Sequence, residues 1–140
     1  MSGRRRSLVT RLARYDAVCE VGIGRRPGVA RALAERGVDV RATDVVDRSV
    51  PSGVRFERDD LVAASRRDDP GEVYRVDTLY ALACPPELHR PLARVADRVG
   101  ATALFTTLAD ERPVVPADSE AVGDGLVVYT VRLDRLDRTE

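Results

Sequence analysis

The sequence has no lysine and no tryptophan, and it contains one histidine and two cysteines. Without lysine the chain has neither an amine for Schiff-base chemistry nor the phosphate ligand of a Walker motif. Cys19, Cys84 and His89 lack the spacing of a zinc site, so we expect neither a structural metal nor a histidine-based catalytic triad. GC-rich coding is the simplest explanation for the use of arginine as the only side-chain cation.

Long hydrophobic runs are also missing. No apolar stretch approaches the roughly 20 residues of a membrane-spanning helix, and charges interrupt the apolar positions of the amino terminus, unlike those of a signal peptide. The 23 basic and 23 acidic residues give a formal net charge of zero, so no overall field attracts nucleic acid or anionic lipid. We therefore expect a cytoplasmic protein that does not enter a membrane.

The 140 residues, 44% of them hydrophobic and 33% charged, suffice for one folded domain with a single core. Leu8, Val9 and Leu12 recur at helical spacing, which predicts an amphipathic helix within 1–16. A frayed tail is expected over 134–140. Between these ends strands alternate with helical segments, which indicates a doubly wound, mostly parallel sheet. We predict a single α/β domain of Rossmann-like type over residues 1–140.

Six strands are predicted, at 17–21, 38–46, 54–58, 78–84, 101–108 and 126–133. The expected order is 3-2-1-4-5, with the sixth strand antiparallel beyond strand five. The link 47–53 is too short for a helical crossover. A short helix is expected after Asp60, with Asp69 as its N-cap. A longer helix is expected over 85–100, in which Pro91 introduces a kink or delays the start.

A glycine motif, EVGIG, stands where the first strand meets the first helix. Gly22 permits a tight turn, and Gly24 lets a ligand approach the backbone near the helix N-terminus. The simpler alternative is that both glycines only end the strand. Asp44, at the predicted end of strand two, is suited to accept hydrogen bonds from both ribose hydroxyls. Together these residues favour a nucleoside-bearing cofactor.

Two cofactors fit this combination. Glu20 would face the sulfonium and ammonium groups of S-adenosylmethionine, whereas a dinucleotide would place phosphates near that carboxylate. Arg25 and Arg26 would instead neutralise a pyrophosphate, although Gly28 is spaced more widely than in the usual dinucleotide fingerprint. Charge therefore favours S-adenosylmethionine, and NAD is the alternative.

With these residues the sequence resembles the class I S-adenosylmethionine-dependent methyltransferases, and more closely an uncharacterised archaeal protein family of that fold with an EVGIG opening. The resemblance implies a methyltransferase-like fold, and this chain is expected to be a truncated version of it. It departs from the family because the helix between strands two and three and the second strand of the terminal hairpin are both expected to be absent. The implied cofactor-binding residues are Glu20, Gly22, Gly24, Asp44 and Asp60. The first three would surround the methionine part, Asp44 the ribose, and Asp60, or its neighbour Asp59, the adenine.

After strand four the chain reads ACPPE, where amino-methyltransferases of this fold carry Asn or Asp before two prolines and an aromatic residue. No amide or carboxylate is available there to bind a substrate amine, so transfer to an exocyclic nitrogen is not expected. Glu87 is the candidate catalytic acid or base, and complementing the helix dipole is its simpler role. Cys84 and His89 lie near the same edge, where a buried core cysteine and a surface histidine are the simpler interpretations.

Five arginines near the amino terminus form a basic cluster that RNA would bind: Arg4, Arg5, Arg6, Arg11 and Arg14. Because no aromatic side chains are interleaved with them, a solvated helix face is favoured. The sequence thus predicts a methyltransferase acting on a small molecule or RNA. The alternative is a sensor that binds S-adenosylmethionine or a nucleotide without chemistry, alone or as a homodimer, and an NAD-binding domain is the third.

Overall fold

Parallel strands form the centre of the sheet in the computed structural model, which describes residues 2–109 and 111–137. These strands are β1 (Ala17–Val21), β2 (Asp39–Asp44), β3 (Val54–Arg58), β4 (Thr78–Ala81) and β5 (Thr102–Phe105). They pair in the order 3-2-1-4-5. Every residue of β4 is buried, as a strand covered on both faces requires. The predicted α/β class and strand order are confirmed.

An antiparallel hairpin completes the sheet. β7 (Leu126–Val131) pairs with β5, and β6 (Ala117–Gly123) pairs with β7 at the edge. The antiparallel placement of the predicted sixth strand, which is β7, is confirmed. The expectation that the hairpin lacks a second strand is wrong. β6 could not be predicted from apolar alternation because its sequence is polar. It is an edge strand, so most of its side chains are exposed and it is held by backbone pairing with β7.

Helices cover both faces of the sheet and create two apolar clusters. The helices are α1 (Gly3–Leu12), α2 (Gly28–Glu35), α3 (Leu61–Ser65) and α4 (Pro86–Val99). α1 and α2 share one cluster with Tyr80, and α3 and α4 share the other with Phe105. This arrangement leaves the carboxyl edge of the parallel strands to loops, which is where ligands bind in doubly wound sheets.

The starts of two helices test the prediction, and one of them differs from it. Asp60, not Asp69, is an N-cap: its Oδ1 accepts hydrogen bonds from the first-turn amides of α3, at 2.9 and 3.4 Å. Asp69 accepts from Gly71 N at 3.0 Å in a turn before the 3-10 helix Glu72–Tyr74. α4 starts at Pro86 and continues through Pro91, so this proline does not delay the helix. No helix lies between β2 and β3, as predicted.

Both chain ends pack onto the domain as far as they are described. α1 ends at Leu12 and is shorter than the predicted helix, and Met1 lies outside the described residues. In the predicted tail, Leu133–Arg135 forms a 3-10 helix and Leu136 is buried, while 138–140 lie outside the described residues. Across residues 2–109 and 111–137, every helix is too short or too polar to cross a bilayer.

Candidate functional site

A cavity of about 390 Å³ opens at the carboxyl edge of β1 and β4, within the size range of small-molecule sites. Its wall is formed by the first turns of α1, the glycine loop, the start of α2 and the loop after β4. Thr106, after β5, and Leu126, at the start of β7, complete it. Of the predicted cofactor-binding residues, Glu20, Gly22 and Gly24 line this cavity, whereas Asp44 and Asp60 do not.

The glycine loop turns sharply at both glycines. Gly22 has φ +71° and Gly24 has φ +58°, which are conformations that favour glycine. Gly22 N and Ile23 N both donate to the carbonyl oxygen of Thr43, at 2.9 and 3.2 Å. The loop is therefore anchored to the end of β2 while its other side forms the cavity wall.

Glu20 is a buried carboxyl in the cavity wall, with only 2% of its surface exposed. The hydroxyl of Tyr80 donates to Glu20 Oε1 at 2.7 Å. Burial raises the pKa of Glu20 to about 8, although the hydrogen bond from Tyr80 opposes the shift. Near neutral pH the buried carboxyl of Glu20 therefore favours its protonated form.

Asp44 is hydrogen-bonded to the glycine loop but does not line the cavity. Its Oδ2 accepts from Gly24 N at 2.8 Å and lies 3.4 Å from Arg48 Nε, and its Oδ1 accepts from Val46 N at 3.2 Å. Burial works to raise the pKa of Asp44, but these two amides and the arginine outweigh it and lower the pKa. Asp44 is thus an ionised anchor of the loop.

The two acids after β3 are engaged outside the cavity. Asp60 caps α3 through Oδ1, as described above. Asp59 Oδ2 accepts a hydrogen bond from the hydroxyl of Tyr74 at 2.7 Å and pairs with Arg67. The structure therefore does not bring either acid into the cavity.

The loop after β4 is held in a strained conformation beside the cavity. Ala83 has φ +49°, which is unusual for a residue with a side chain. Ala83 N donates to Thr106 Oγ1 at 2.8 Å, and Cys84 N donates to the Thr106 carbonyl at the same distance. The sequence analysis does not predict Thr106 as a site residue, because the predicted strand 101–108 includes it. A hydroxyl directly after the end of β5, at the carboxyl edge of the sheet, was the signal that could have identified it.

Three residues considered for chemistry lie outside the cavity. Cys84 is 1% exposed, and burial raises the pKa of its thiol to about 12. His89 is fully buried, which contradicts the surface role expected for it. Its Nδ1 accepts from Val114 N at 3.2 Å, so Nε2 carries the proton and donates to the Cys84 carbonyl at 3.0 Å. Glu87 is exposed in the first turn of α4.

The five amino-terminal arginines do not form one surface. Arg4 and Arg5 line the cavity, together with Arg25 and Arg26 from the loop before α2. Arg6, Arg11 and Arg14 instead line a separate depression beside β6. There Arg11 pairs with Glu120 at 3.2 Å and donates to the hydroxyl of Tyr15 at 2.9 Å.

Comparison with known proteins identifies sequence relatives among archaea. A model of the uncharacterised protein family UPF0146 matches residues 6–132. A UPF0146 protein of Halobacterium salinarum is 52% identical over 106 residues, which cover 75% of this chain and 78% of that protein. A UPF0146 protein of Archaeoglobus fulgidus is 43% identical over 91 residues, 65% of this chain and 67% of that protein.

Solved structures of methyltransferases share the fold. Magnesium protoporphyrin IX methyltransferase from Synechocystis PCC 6803, with bound S-adenosylmethionine, gives a TM-score of 0.60 at 15% identity, covering 92% of this chain and 78% of that chain. An RNA methyltransferase from Salinibacter ruber, in complex with S-adenosylhomocysteine, gives a TM-score of 0.59 at 14% identity. This match covers 94% of this chain and 91% of that chain. The predicted methyltransferase-like Rossmann fold is confirmed.

Proposed function

The chain belongs to the uncharacterised protein family UPF0146, and we propose that it binds S-adenosylmethionine with the methionine part in the cavity beside its glycine loop. The observation that carries this proposal is the buried carboxyl of Glu20 in the cavity wall, two residues before the turn at Gly22. A cationic ligand beside Glu20 would favour its ionised form. The resulting carboxylate is complementary to a sulfonium and an ammonium group and would repel the phosphates of a dinucleotide. The adenosyl ligands bound to the Synechocystis and Salinibacter enzymes support the same choice.

The adenosine part of the cofactor would lie along the ends of β2 and β3. Asp44 retains free acceptor capacity for a ribose hydroxyl, since a carboxylate offers about four lone-pair sites. Val45 and Val46 follow it with 59% and 49% of their surface exposed, and they form an apolar surface for an adenine ring. Asp60 caps α3 through Oδ1, which leaves Oδ2 for the exocyclic amine.

Methyl transfer from this cofactor to a small molecule is the reaction that such a site supports. A lone pair on the acceptor would form the new bond to the methyl carbon, while the carbon–sulfur bonding pair stays on sulfur and S-adenosylhomocysteine leaves. An acceptor that carries a proton would release it to water at the open mouth of the cavity. Its binding surface would include the strained loop at Ala83 and the hydroxyl of Thr106.

A sensor without chemistry is the second candidate, and one observation favours it. Among the described residues, the only carboxyl in the cavity wall is that of Glu20, and no histidine or cysteine lines it. Glu87, the catalytic candidate from the sequence, lies outside the cavity. Acceptors that need a general base would therefore not be activated, whereas acceptors that are already nucleophilic would react.

Isothermal titration with S-adenosylmethionine, S-adenosylhomocysteine and NAD tests the proposed cofactor. We expect both adenosyl ligands to bind and NAD not to bind. Glu20→Gln should weaken S-adenosylmethionine at least tenfold, because the neutral amide cannot pair with a cation. Glu35→Gln, which removes an exposed carboxylate at the end of α2, is the matched control and should leave the affinity unchanged.

Two results would refute the proposal. The first is binding of NAD alone, which would assign the cavity to a dinucleotide. The second is the absence of adenosyl-ligand binding by wild-type protein with a cooperative unfolding transition.

A further inference from the structure

Four arginines converge on the mouth of the cavity: Arg4 and Arg5 from α1, and Arg25 and Arg26 from the loop before α2. All four side chains are exposed. Within residues 2–109 and 111–137, none of them forms an ion pair. The Nε atom of Arg4 donates to the main-chain carbonyl of Asp124 at 3.1 Å. The mouth therefore carries four guanidinium groups that have no ion-pair partner among the described residues.

Arg5 lies against the positive end of a helix. A methyl group on Gly28, the first residue of α2, would be 2.6 Å from Arg5 Cζ, so only glycine lets the guanidinium approach this closely. α2 has no side-chain N-cap and no acidic residue in its first turn. Its first N–H groups thus lack side-chain acceptors and add a partial positive charge to that of the arginine. Two positive groups held together without an anion make a site that an anion stabilises.

We propose that the cavity mouth is a phosphate-binding subsite for a small phosphorylated molecule that binds beside S-adenosylmethionine. This inference rests on the proposed function, because it places the phosphate beside bound S-adenosylmethionine. The cofactor itself does not balance the positive charge of the four arginines. S-adenosylmethionine carries one carboxylate, which can neutralise only one of the four arginines, and its net charge is positive. A phosphate group offers several acceptor oxygens and up to two negative charges, which suit guanidinium groups and a helix N-terminus.

Three features favour a small molecule over nucleic acid as the bearer of this phosphate. No aromatic side chain lines the cavity among the described residues, so bases have no stacking surface. Arg6, Arg11 and Arg14 line a different depression and do not extend the charged surface. A cavity of about 390 Å³ accommodates a metabolite. In a methyltransferase, this second ligand is the methyl acceptor.

Titration of pyrophosphate into the protein saturated with S-adenosylhomocysteine tests the subsite. Wild type should bind the probe, and Arg25→Gln with Arg26→Gln should weaken it at least tenfold. Gly28→Ala removes no charged residue but displaces the guanidinium of Arg5, so it should weaken binding of pyrophosphate about fivefold by the lost charge-assisted contact. Arg31→Gln, on the exposed side of α2 away from the cavity, is the control and should change the affinity less than about twofold.

The outcomes separate this inference from the proposed function. Failure of S-adenosylhomocysteine to bind would refute the proposed function. If S-adenosylhomocysteine binds but pyrophosphate does not, the subsite alone is refuted. The same holds if Arg31→Gln weakens pyrophosphate binding as much as the double variant Arg25→Gln with Arg26→Gln does. Displacement of S-adenosylhomocysteine by pyrophosphate would assign the arginines to the cofactor and overturn the inference. Tighter binding of a 5′-phosphorylated oligoribonucleotide that depends on Arg6 and Arg14 would also overturn it.

Discussion

Individual side chains in this protein take their roles from burial more than from residue type. Glu20 and Tyr80 are both buried, on adjacent strands, and they share one hydrogen bond of 2.7 Å. Burial raises the pKa of both groups, because the charged forms lose their hydration. An exposed carboxyl would stay ionised near neutral pH, and its protonation state would not change when a ligand binds.

The raised pKa of Glu20 predicts a pH-dependent loss of stability. Between its unfolded value of 4.5 and the folded value of about 8, the unfolded chain has released a proton that the folded protein retains. Stability from this group is therefore fully present below pH 4.5, and it is lost as pH rises towards the folded pKa of about 8, at roughly 1 kcal/mol per pH unit. Glu20→Gln, whose amide oxygen still accepts from Tyr80, should not show this decline.

Urea unfolding of wild type and Glu20→Gln at pH 5 and pH 8 measures this effect. The variant should be the more stable protein at pH 8, and its advantage should shrink at pH 5. Parallel pH dependences in the two proteins would mean that Glu20 is ionised in the folded state across this range.

At the scale of elements, the β6–β7 hairpin contains the one strand that the sequence analysis failed to predict, β6. Its two-residue turn is formed by Asp124 and Gly125, with φ +53° and +73°, the pattern of a type I′ turn. The hairpin also supports α1, because Arg4 donates to Asp124 and Arg11 pairs with Glu120. A strand at the sheet edge thus helps to hold the helix that forms one wall of the cavity.

Gly125→Val should destabilise the protein by about 1–3 kcal/mol, because a β-branched residue is strained at positive φ. Asp124→Gly, in the same turn, should cost less than about 1 kcal/mol, since type I′ turns accept glycine at both central positions. Thermal unfolding gives the stabilities, and hydrogen exchange of β6 and β7 amides locates the effect. Equal losses in the two variants would argue against this turn geometry.

At the scale of the whole molecule, the cavity joins elements from both ends of the chain. α1 contributes from the amino terminus, β7 contributes Leu126 from the carboxyl-terminal hairpin, and the glycine loop lies between them. A ligand in this cavity would contact elements that are distant in the chain and pack together in one domain. Binding should therefore stabilise the domain as one unit.

S-adenosylhomocysteine at about 100 times its dissociation constant should stabilise the folded protein by about 2.7 kcal/mol. For a domain of this size the melting temperature should rise by roughly 8 °C in one transition. Scanning calorimetry with and without the ligand checks this, with NAD at the same concentration as the control. An equal rise with NAD would contradict selective binding, and a separate early transition for α1 would contradict a single cooperative unit.

The sequence by itself determined the α/β class and the glycine turn, because these depend on local apolar patterns and on φ values that favour glycine. The order of the parallel strands could be predicted because right-handed crossovers restrict how alternating strands and helices assemble into a sheet. Tertiary structure decided the rest. His89 is a buried core residue, since its burial and its hydrogen bond from Val114 N depend on a segment 25 residues away. Asp60, in contrast, caps α3 through amides only two and three residues away, so its N-cap role is local and was available to sequence analysis. Arg5 reached the cavity because α1 packs on α2 beside Gly28. No local pattern encodes a contact between residues so far apart in the chain.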